Sequence, residues 1–389
     1  MDEAGTGWIG RSLRWPEVTG ILVSAALAIV VSTSLQPILL GGLLAENRLT
    51  LVDLGHAATA ELIAMAAACW AASAFLKPDR IRLKAAAAGI GLVAANLLTM
   101  MASHQQILLA RALSGACYGI YVCILAYLLV RSRNAARYAG LFTAIQAIIS
   151  VALSNAFAAF TVSRFGINAG YACLALISLL VVLGSPLFPL RFDALPPENA
   201  GRIPSPYGFA GLGVIFFYLA GLVGVWVYVG AMSQQAGYTP QETGVAVSMA
   251  LAAQFLGALV ASVLGNRLRP IIAIVIGGLG GCVFAVTLTL GLPLAGFVAV
   301  VAGFGLLWMF STPFLTPMIM EMDASRATTM YAITMQMLGA ACGPAFGAML
   351  VQGADVRQAI IGSSMLMVAA TIGAVVIQLI LMKRRPAVI

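Results

Sequence analysis

The sequence predicts an all-α integral membrane protein whose twelve transmembrane helices form two pseudo-symmetric six-helix bundles. Three observations predict it: a composition too apolar for water, twelve apolar runs of spanning length, and a lopsided distribution of Lys and Arg between alternate loops. Of 389 residues, 61% are hydrophobic and 9% are charged, whereas a soluble domain carries roughly 25% charged residues to cover its surface. That balance excludes a water-soluble fold.

The apolar runs fall at 18–42, 55–76, 85–103, 107–130, 138–162 and 168–189, then at 208–232, 243–264, 271–291, 295–320, 328–352 and 358–382. A helix needs about 20 apolar residues to cross the hydrocarbon layer. Barrel strands are about ten residues of alternating character, so continuous runs of this length read as helices. The first run follows Arg11 and Arg14 and lacks a short core with a small-residue cleavage site, so it reads as a retained span and not a removed signal.

An even number of spans puts both termini on one side. With the amino terminus inside, the inner segments hold Arg11, Arg14, Lys77, Arg80, Arg82, Lys84, Arg131, Arg133, Arg137, Arg191, Arg202, Arg267, Arg269, Arg326, Lys383, Arg384 and Arg385. These are all but four of the 21 Lys and Arg. Only Arg48, Arg164 and Arg357 fall outside, and Arg111 lies near a helix end. An excess of Lys and Arg marks cytoplasmic loops, so both termini are expected in the cytoplasm of a multi-pass protein of the cytoplasmic (inner) membrane. The net charge of +8 follows from this bias. It is not the clustered basic face of a nucleic-acid binder, and no nucleic-acid partner is expected.

The longest polar interruption, from Arg191 to Tyr207, contains Pro196, Pro197, Pro204 and Pro206. Proline at that density opposes helix and reads as a linker. The expected division is a bundle over 1–190, a cytoplasmic linker over 191–207 and a second bundle over 208–389. An internal offset supports it. Asp53-Leu54-Gly55 recurs as Glu242-Thr243-Gly244 at 189, Asn134-Ala135-Ala136-Arg137 as Asp323-Ala324-Ser325-Arg326 at 189, and Ala156-Phe157 as Ala345-Phe346 at 189. Asp79-Arg80-Ile81-Arg82 recurs as Asn266-Arg267-Leu268-Arg269 at 187. Four matches at nearly one offset argue for a repeat. Six spans per copy give both copies the same orientation, the parallel two-bundle plan of one large transporter class.

On these features the chain resembles the major facilitator superfamily, over its whole length. The loop between the second and third spans, Asp79-Arg80-Ile81-Arg82-Leu83-Lys84, keeps the acid and basic run of that family's inner-loop motif. Phe75 stands where the family has a leading glycine, and Arg82 where a second is usual. The fourth span opens with Arg111-Ala112-Leu113-Ser114-Gly115, an arginine followed by small residues. The family's glycine-rich antiporter signature is absent from the fifth span, which has Ser154-Asn155. A Gly339-x-x-x-Gly343-Pro344-x-x-Gly347 run lies at the repeat-related place in the eleventh. The resemblance implies a secondary active transporter that moves a small organic solute by alternating access. It also implies a conformational-gate role for Asp79, Arg80, Arg82 and Arg267, whose charges pair with one another and with helix ends.

Intramembrane polar residues supply the site candidates. Glu61 is the only acid well inside a span. Burial disfavours an ionised carboxylate, which makes Glu61 a candidate for proton coupling or for substrate contact. Arg111, Gly115, Tyr118 and Val122 fall at i, i+4, i+7 and i+11, so a guanidinium, a close-approach glycine and a phenol share one face. That face suits a cavity wall, and the resemblance places this arginine in or beside the central cavity. Gln36, Gln146, Asn155, Gln254 and Gln336 are amides that must find partners in hydrocarbon, as interhelical glue or cavity lining. Gln36 and Gln336 rank highest because the resemblance puts their helices around the pathway. Tyr218 belongs to an aromatic cluster of the seventh span. Gln36-Pro37 and Thr312-Pro313 are expected to bend the first and tenth spans.

His56 and His104 are the only histidines, and His56 and Glu61 at i, i+5 share no good face. The six cysteines lie inside predicted helices without zinc-type spacing. No metal, no cofactor and no enzyme constellation are expected. The expected partners are a small-molecule substrate, protons and the lipid bilayer, with the chain working as a monomer. Two other classes fit the same scaffold, an uncoupled facilitator or exchanger and a non-transporting receptor or assembly factor.

Overall fold

The computed structural model describes residues 8, 12–30, 34–132, 135–193, 205–265, 267–323 and 327–384. Of the residues used above, Arg11, Arg133, Asn134, Arg202, Asn266, Ala324, Ser325, Arg326 and Arg385 lie outside the described residues, as does 194–204 of the expected linker. Among the described residues the secondary structure is helical, with two isolated bridges and no strand.

The first apolar run forms two helices, α1 (Trp15–Ile29) and α2 (Gln36–Ala45). Pro37 lies in the first turn of α2, where its missing N–H costs nothing to α2 but cannot continue a ladder from α1. Then follow α3 (Leu51–Phe75), α4 (Ile81–Met101), α5 (Gln105–Arg131) and α6 (Ala135–Ala156). A π-turn over Phe157–Thr161 carries α6 directly into α7 (Val162–Gly184), which is kinked at Gly166, where φ is +77°. The second half comprises α8 (Pro206–Gln235), α9 (Pro240–Leu264), α10 (Pro270–Thr287), α11 (Leu294–Ser311), α12 (Leu315–Met322), α13 (Ala327–Leu350) and α14 (Arg357–Arg384). A tight turn at Thr312–Phe314 separates α11 from α12, at the proline expected to bend that span. Eleven helices among the described residues are long and apolar enough to cross a membrane, with α1 and α2 as shorter apolar pieces.

The helix starts follow local chemistry. α8, α9 and α10 each open on proline, whose fixed φ suits a first helical position. α9 carries a capping box: Thr239 N donates to Glu242 Oε2 at 2.8 Å and Glu242 N donates to Thr239 Oγ1 at 3.3 Å. The same reciprocal pair opens α3, where Thr50 N donates to Asp53 Oδ2 at 3.2 Å and Asp53 N to Thr50 Oγ1 at 3.1 Å. Thr50 and Thr239 are separated by the 189-residue offset of the repeat.

The chain divides into two compact units. One comprises Met1–Arg48 with Ala60–Asn199, and the other Leu49–Thr59 with Ala200–Ile389. Each holds a buried helical interior, while Trp70, Met101, Leu109, Phe165, Leu183 and Met349 are exposed large apolar side chains. On a soluble protein so much exposed apolar surface would drive aggregation, whereas a bilayer solvates it. The protein is a multi-pass membrane protein.

Candidate functional site

The first unit contains a buried ion pair. Arg111 on α5 and Glu61 on α3 are each about 2% exposed, with Nη1 3.5 Å from Oε1. That spacing exceeds the 2.7–2.9 Å or so of a tight charge-assisted hydrogen bond. The other guanidinium nitrogen is held more closely by neutral groups on α4. Arg111 Nη2 donates to Asn96 Oδ1 at 3.0 Å and to Thr99 Oγ1 at 2.9 Å. The guanidinium also lies over the Tyr171 ring of α7, 5.0 Å from its centroid. On the other side of the acid, Gln36 Nε2 at the start of α2 donates to Glu61 Oε2 at 3.4 Å. Five helices thus contribute to one polar cluster inside an apolar unit.

Glycine makes this meeting possible. A Cβ on Gly115 would lie 2.7 Å from the Glu61 carbonyl carbon, and one on Gly119 would lie 2.8 Å from both Ala68 Cβ and Cys69 N. The backbones of α3 and α5 therefore touch at two glycines four residues apart, a small-xxx-small contact. The face read from spacing as a cavity wall is, at Gly115, a helix–helix contact. Arg111 lies one turn before Gly115 on the same face, and this brings its guanidinium to Glu61.

Other predicted site residues are placed as follows. Tyr118 is fully buried, two turns beyond Arg111 on α5 and within electrostatic reach of both Glu61 and Arg111. Gln146 on α6 and Gln336 on α13 are half-buried, and neither joins the cluster among the described residues. Tyr218 is buried in the second unit, donates to Ser311 Oγ at 2.8 Å and packs against Gly277 and Gly278 of α10. In the inner-loop motif Asp79 pairs with Lys84 at 3.1 Å, and Arg82 Nε donates to the Phe188 carbonyl at 2.6 Å. The loop is tied to the end of the unit by two further backbone bonds, Ile81 N to Leu190 O and Phe192 N to Pro78 O. Arg80 and Arg267 are exposed. The hydrogen bond from Lys84 holds the carboxyl of Asp79 below the usual carboxylate range.

Sequence reasoning missed Asn96, Thr99 and Tyr171. Asn96 carried a usable signal, an amide in the middle of an apolar run, which must bond to something. Thr99 and Tyr171 carried none, because either residue is common in spans without a polar partner. Among the described residues no group of three or more His, Cys, Asp or Glu could hold a metal ion.

The repeat extends to the joint but not to its charges. In the second unit a Cβ on Gly305 of α11 would lie 2.6 Å from the Ala250 carbonyl oxygen of α9. Gly305 and Ala250 follow Gly115 and Glu61 by 190 and 189 residues. The same glycine-on-carbonyl crossing is therefore built twice, once with Glu61 and Arg111 and once with Ala250 and Val301. In the second copy both positions are buried and apolar.

No protein-family model matches the chain, and no curated protein sequence matches it significantly. Among solved structures it is similar to a crystal structure of the nucleoside transporter NupG, with a TM-score of 0.71 and 13% identity over 92% of this chain and 99% of that one. Identity that low speaks for architecture alone. With eleven helices of spanning length among the described residues and an alignment over nearly the full length of that structure, this protein has the same all-helical membrane fold as that structure, in agreement with the architecture expected from the sequence resemblance.

Proposed function

We propose that the protein is a proton-coupled secondary transporter that carries a small organic solute across the cytoplasmic membrane by alternating access. One observation carries the reading: the buried Glu61–Arg111 pair in the first unit of a transporter fold, with Ala250 and Val301 at the corresponding places of the second. A purely structural charge pair is a poor use of a membrane interior, because two ions lose their hydration for an attraction that roughly offsets that loss. A pair whose acid alternates between charged and neutral forms has a reason to be there. Protonation of Glu61 removes the anion beside Arg111, and deprotonation restores it, so one proton switches the local electrostatics of α3 and α5.

The basic bias of alternate loops supports cytoplasmic termini, and a two-bundle pathway within one chain supports a working monomer. The internally bonded Asp79–Lys84 loop supports a part in the conformational cycle, and nothing in the cluster calls for covalent chemistry. Substrate class is best sought by thermal unfolding of purified protein with organic acids, sugars, amino acids, nucleosides and hydrophobic cations, since a ligand bound only by the folded state raises the midpoint. With a substrate in hand, Glu61→Gln in proteoliposomes is expected to abolish accumulation driven by a pH gradient while sparing exchange of labelled for unlabelled solute. Normal gradient-driven accumulation by that variant would overturn the coupling role.

A further inference from the structure

The guanidinium of Arg111 has more and closer partners among neutral groups than it has in Glu61. Asn96 Oδ1 and Thr99 Oγ1 accept from one nitrogen at 3.0 and 2.9 Å, and the Tyr171 ring lies beneath, while Glu61 stands at 3.5 Å from the other nitrogen. These neutral acceptors are themselves held in place. Asn96 Nδ2 donates to Ser178 Oγ at 3.3 Å, and Ser178 Oγ donates to the Leu174 carbonyl at 2.8 Å, which aims the amide oxygen at Arg111. Thr99 Oγ1 donates to Ala95 O at 2.8 Å, leaving its lone pairs for the guanidinium. The Thr99 end of α4 is clamped by Arg48, whose Nη2 donates to the carbonyls of Thr99, Met100 and Ala102.

Resting on the proposal that Glu61 exchanges a proton, we infer that Asn96 and Thr99 are positioning residues that hold the Arg111 guanidinium whether Glu61 is charged or neutral, and so set the pH at which Glu61 exchanges its proton. Without them the cation would follow the acid and pair with it fully, holding Glu61 ionised to lower pH. With them part of the guanidinium's hydrogen-bonding capacity is committed to neutral oxygens, and Glu61 receives only the remainder. Among the described residues, α3 contributes Glu61 to the titratable and charged groups facing the pair, α5 contributes Arg111 and Tyr118, and α7 contributes Tyr171. α4 and α2 present the neutral Asn96, Thr99 and Gln36, and Arg48 reaches α4 from the α2–α3 connection.

The test needs protons alone as the probe. Infrared difference spectra of the purified full-length protein across a pH series report the protonated-carboxyl band, and the part lost in Glu61→Gln belongs to Glu61. Asn96→Asp places a second carboxylate on the same guanidinium, so the midpoint of that band is expected to rise by about one pH unit or more. Thr99→Val, nearly isosteric, removes one neutral acceptor and is expected to lower the midpoint. Asn96→Ala should move it the same way as Thr99→Val, and Asn96→Ser should restore much of it. A purely structural role would lower thermal stability without opposite shifts. Unchanged midpoints, or shifts of one sign in Asn96→Asp and Thr99→Val, would overturn the inference while leaving proton exchange at Glu61 intact. A wild-type spectrum with no band lost in Glu61→Gln would instead overturn the proton-exchange reading, and this inference with it.

Discussion

Arg111 shows how much one side chain can organise when it cannot reach water. Its planar fork satisfies an acid, an amide and a hydroxyl in different directions while its face lies on a ring, which the point charge of lysine cannot reproduce. Arg111→Lys is therefore expected to lose gradient-driven transport although the charge is kept. Arg111→Met removes the cation beside the buried Glu61 carboxylate, and breaking a buried pair in this way costs about 3–5 kcal/mol. Adding Glu61→Gln removes the uncompensated charge. The double variant is therefore expected to unfold at a higher temperature than Arg111→Met alone, a comparison read from melting curves of the four proteins of the cycle. Both members of this pair were legible in the sequence because a charge in an apolar run is an anomaly that needs a reason. Of their partners Gln36 was legible as well, whereas Thr99 and Tyr171 were not, since they become partners only through the rotation of α4 and α7 about their own axes.

Helices in this protein are located by hydropathy and joined by glycine. The fourth and twelfth apolar runs, 107–130 and 358–382, became Gln105–Arg131 and Arg357–Arg384, because only a helix satisfies its own backbone in hydrocarbon. The break of the first run into α1 and α2 falls at the Gln36-Pro37 pair that marked it, whereas the π-turn joining α6 to α7 was not legible. Apolar composition is the same on either side of a break, and no proline marks 157–161. The Gly339-x-x-x-Gly343 run, which lies at the repeat-related place of the antiporter signature that the fifth span lacks, has a packing use. A Cβ on Gly339 or Gly343 would lie within 3.0 Å of the Phe216 or Ala220 backbone of α8. Gly115→Ala should likewise drive a methyl into the Glu61 backbone, which cannot rotate away. A loss of roughly 1–3 kcal/mol, the usual cost of overpacking, is expected, with loss of transport. Gly213→Ala, with nothing within 4 Å of the new methyl, should leave the melting temperature unchanged or raise it. Equal effects of the two substitutions would show that helix propensity and not close approach governs Gly115.

At the scale of the whole molecule, pH sensitivity has separable sources. Asp79 is held below the usual carboxylate range chiefly by Lys84. Asp355, in the connection before α14, is held there by the Arg357 backbone N–H and the Gln235 amide, each at 2.9 Å. A carboxyl whose folded pKa is depressed adds stability above its unfolded value of about 3.9, and loses it as pH falls through the lower folded value. Neither group therefore changes its contribution between pH 5 and 8. Asp79→Asn and Asp355→Asn are expected to leave the slope of melting temperature against pH unchanged over that window, while Glu61→Gln is expected to flatten it. The placement of Glu61 has an electrical side as well. It lies ten residues from Leu51 in a helix of 25, so a proton entering from that end crosses about two-fifths of the span before it binds. A full crossing is worth about 2.3 kcal/mol per 100 mV, so under the proposed coupling role loading this acid would draw on about 0.9 kcal/mol at that potential. If Glu61 exchanges the coupling proton as proposed, the occupancy of a single carboxyl becomes a voltmeter, and depolarising the membrane of proteoliposomes at constant pH is expected to slow transport.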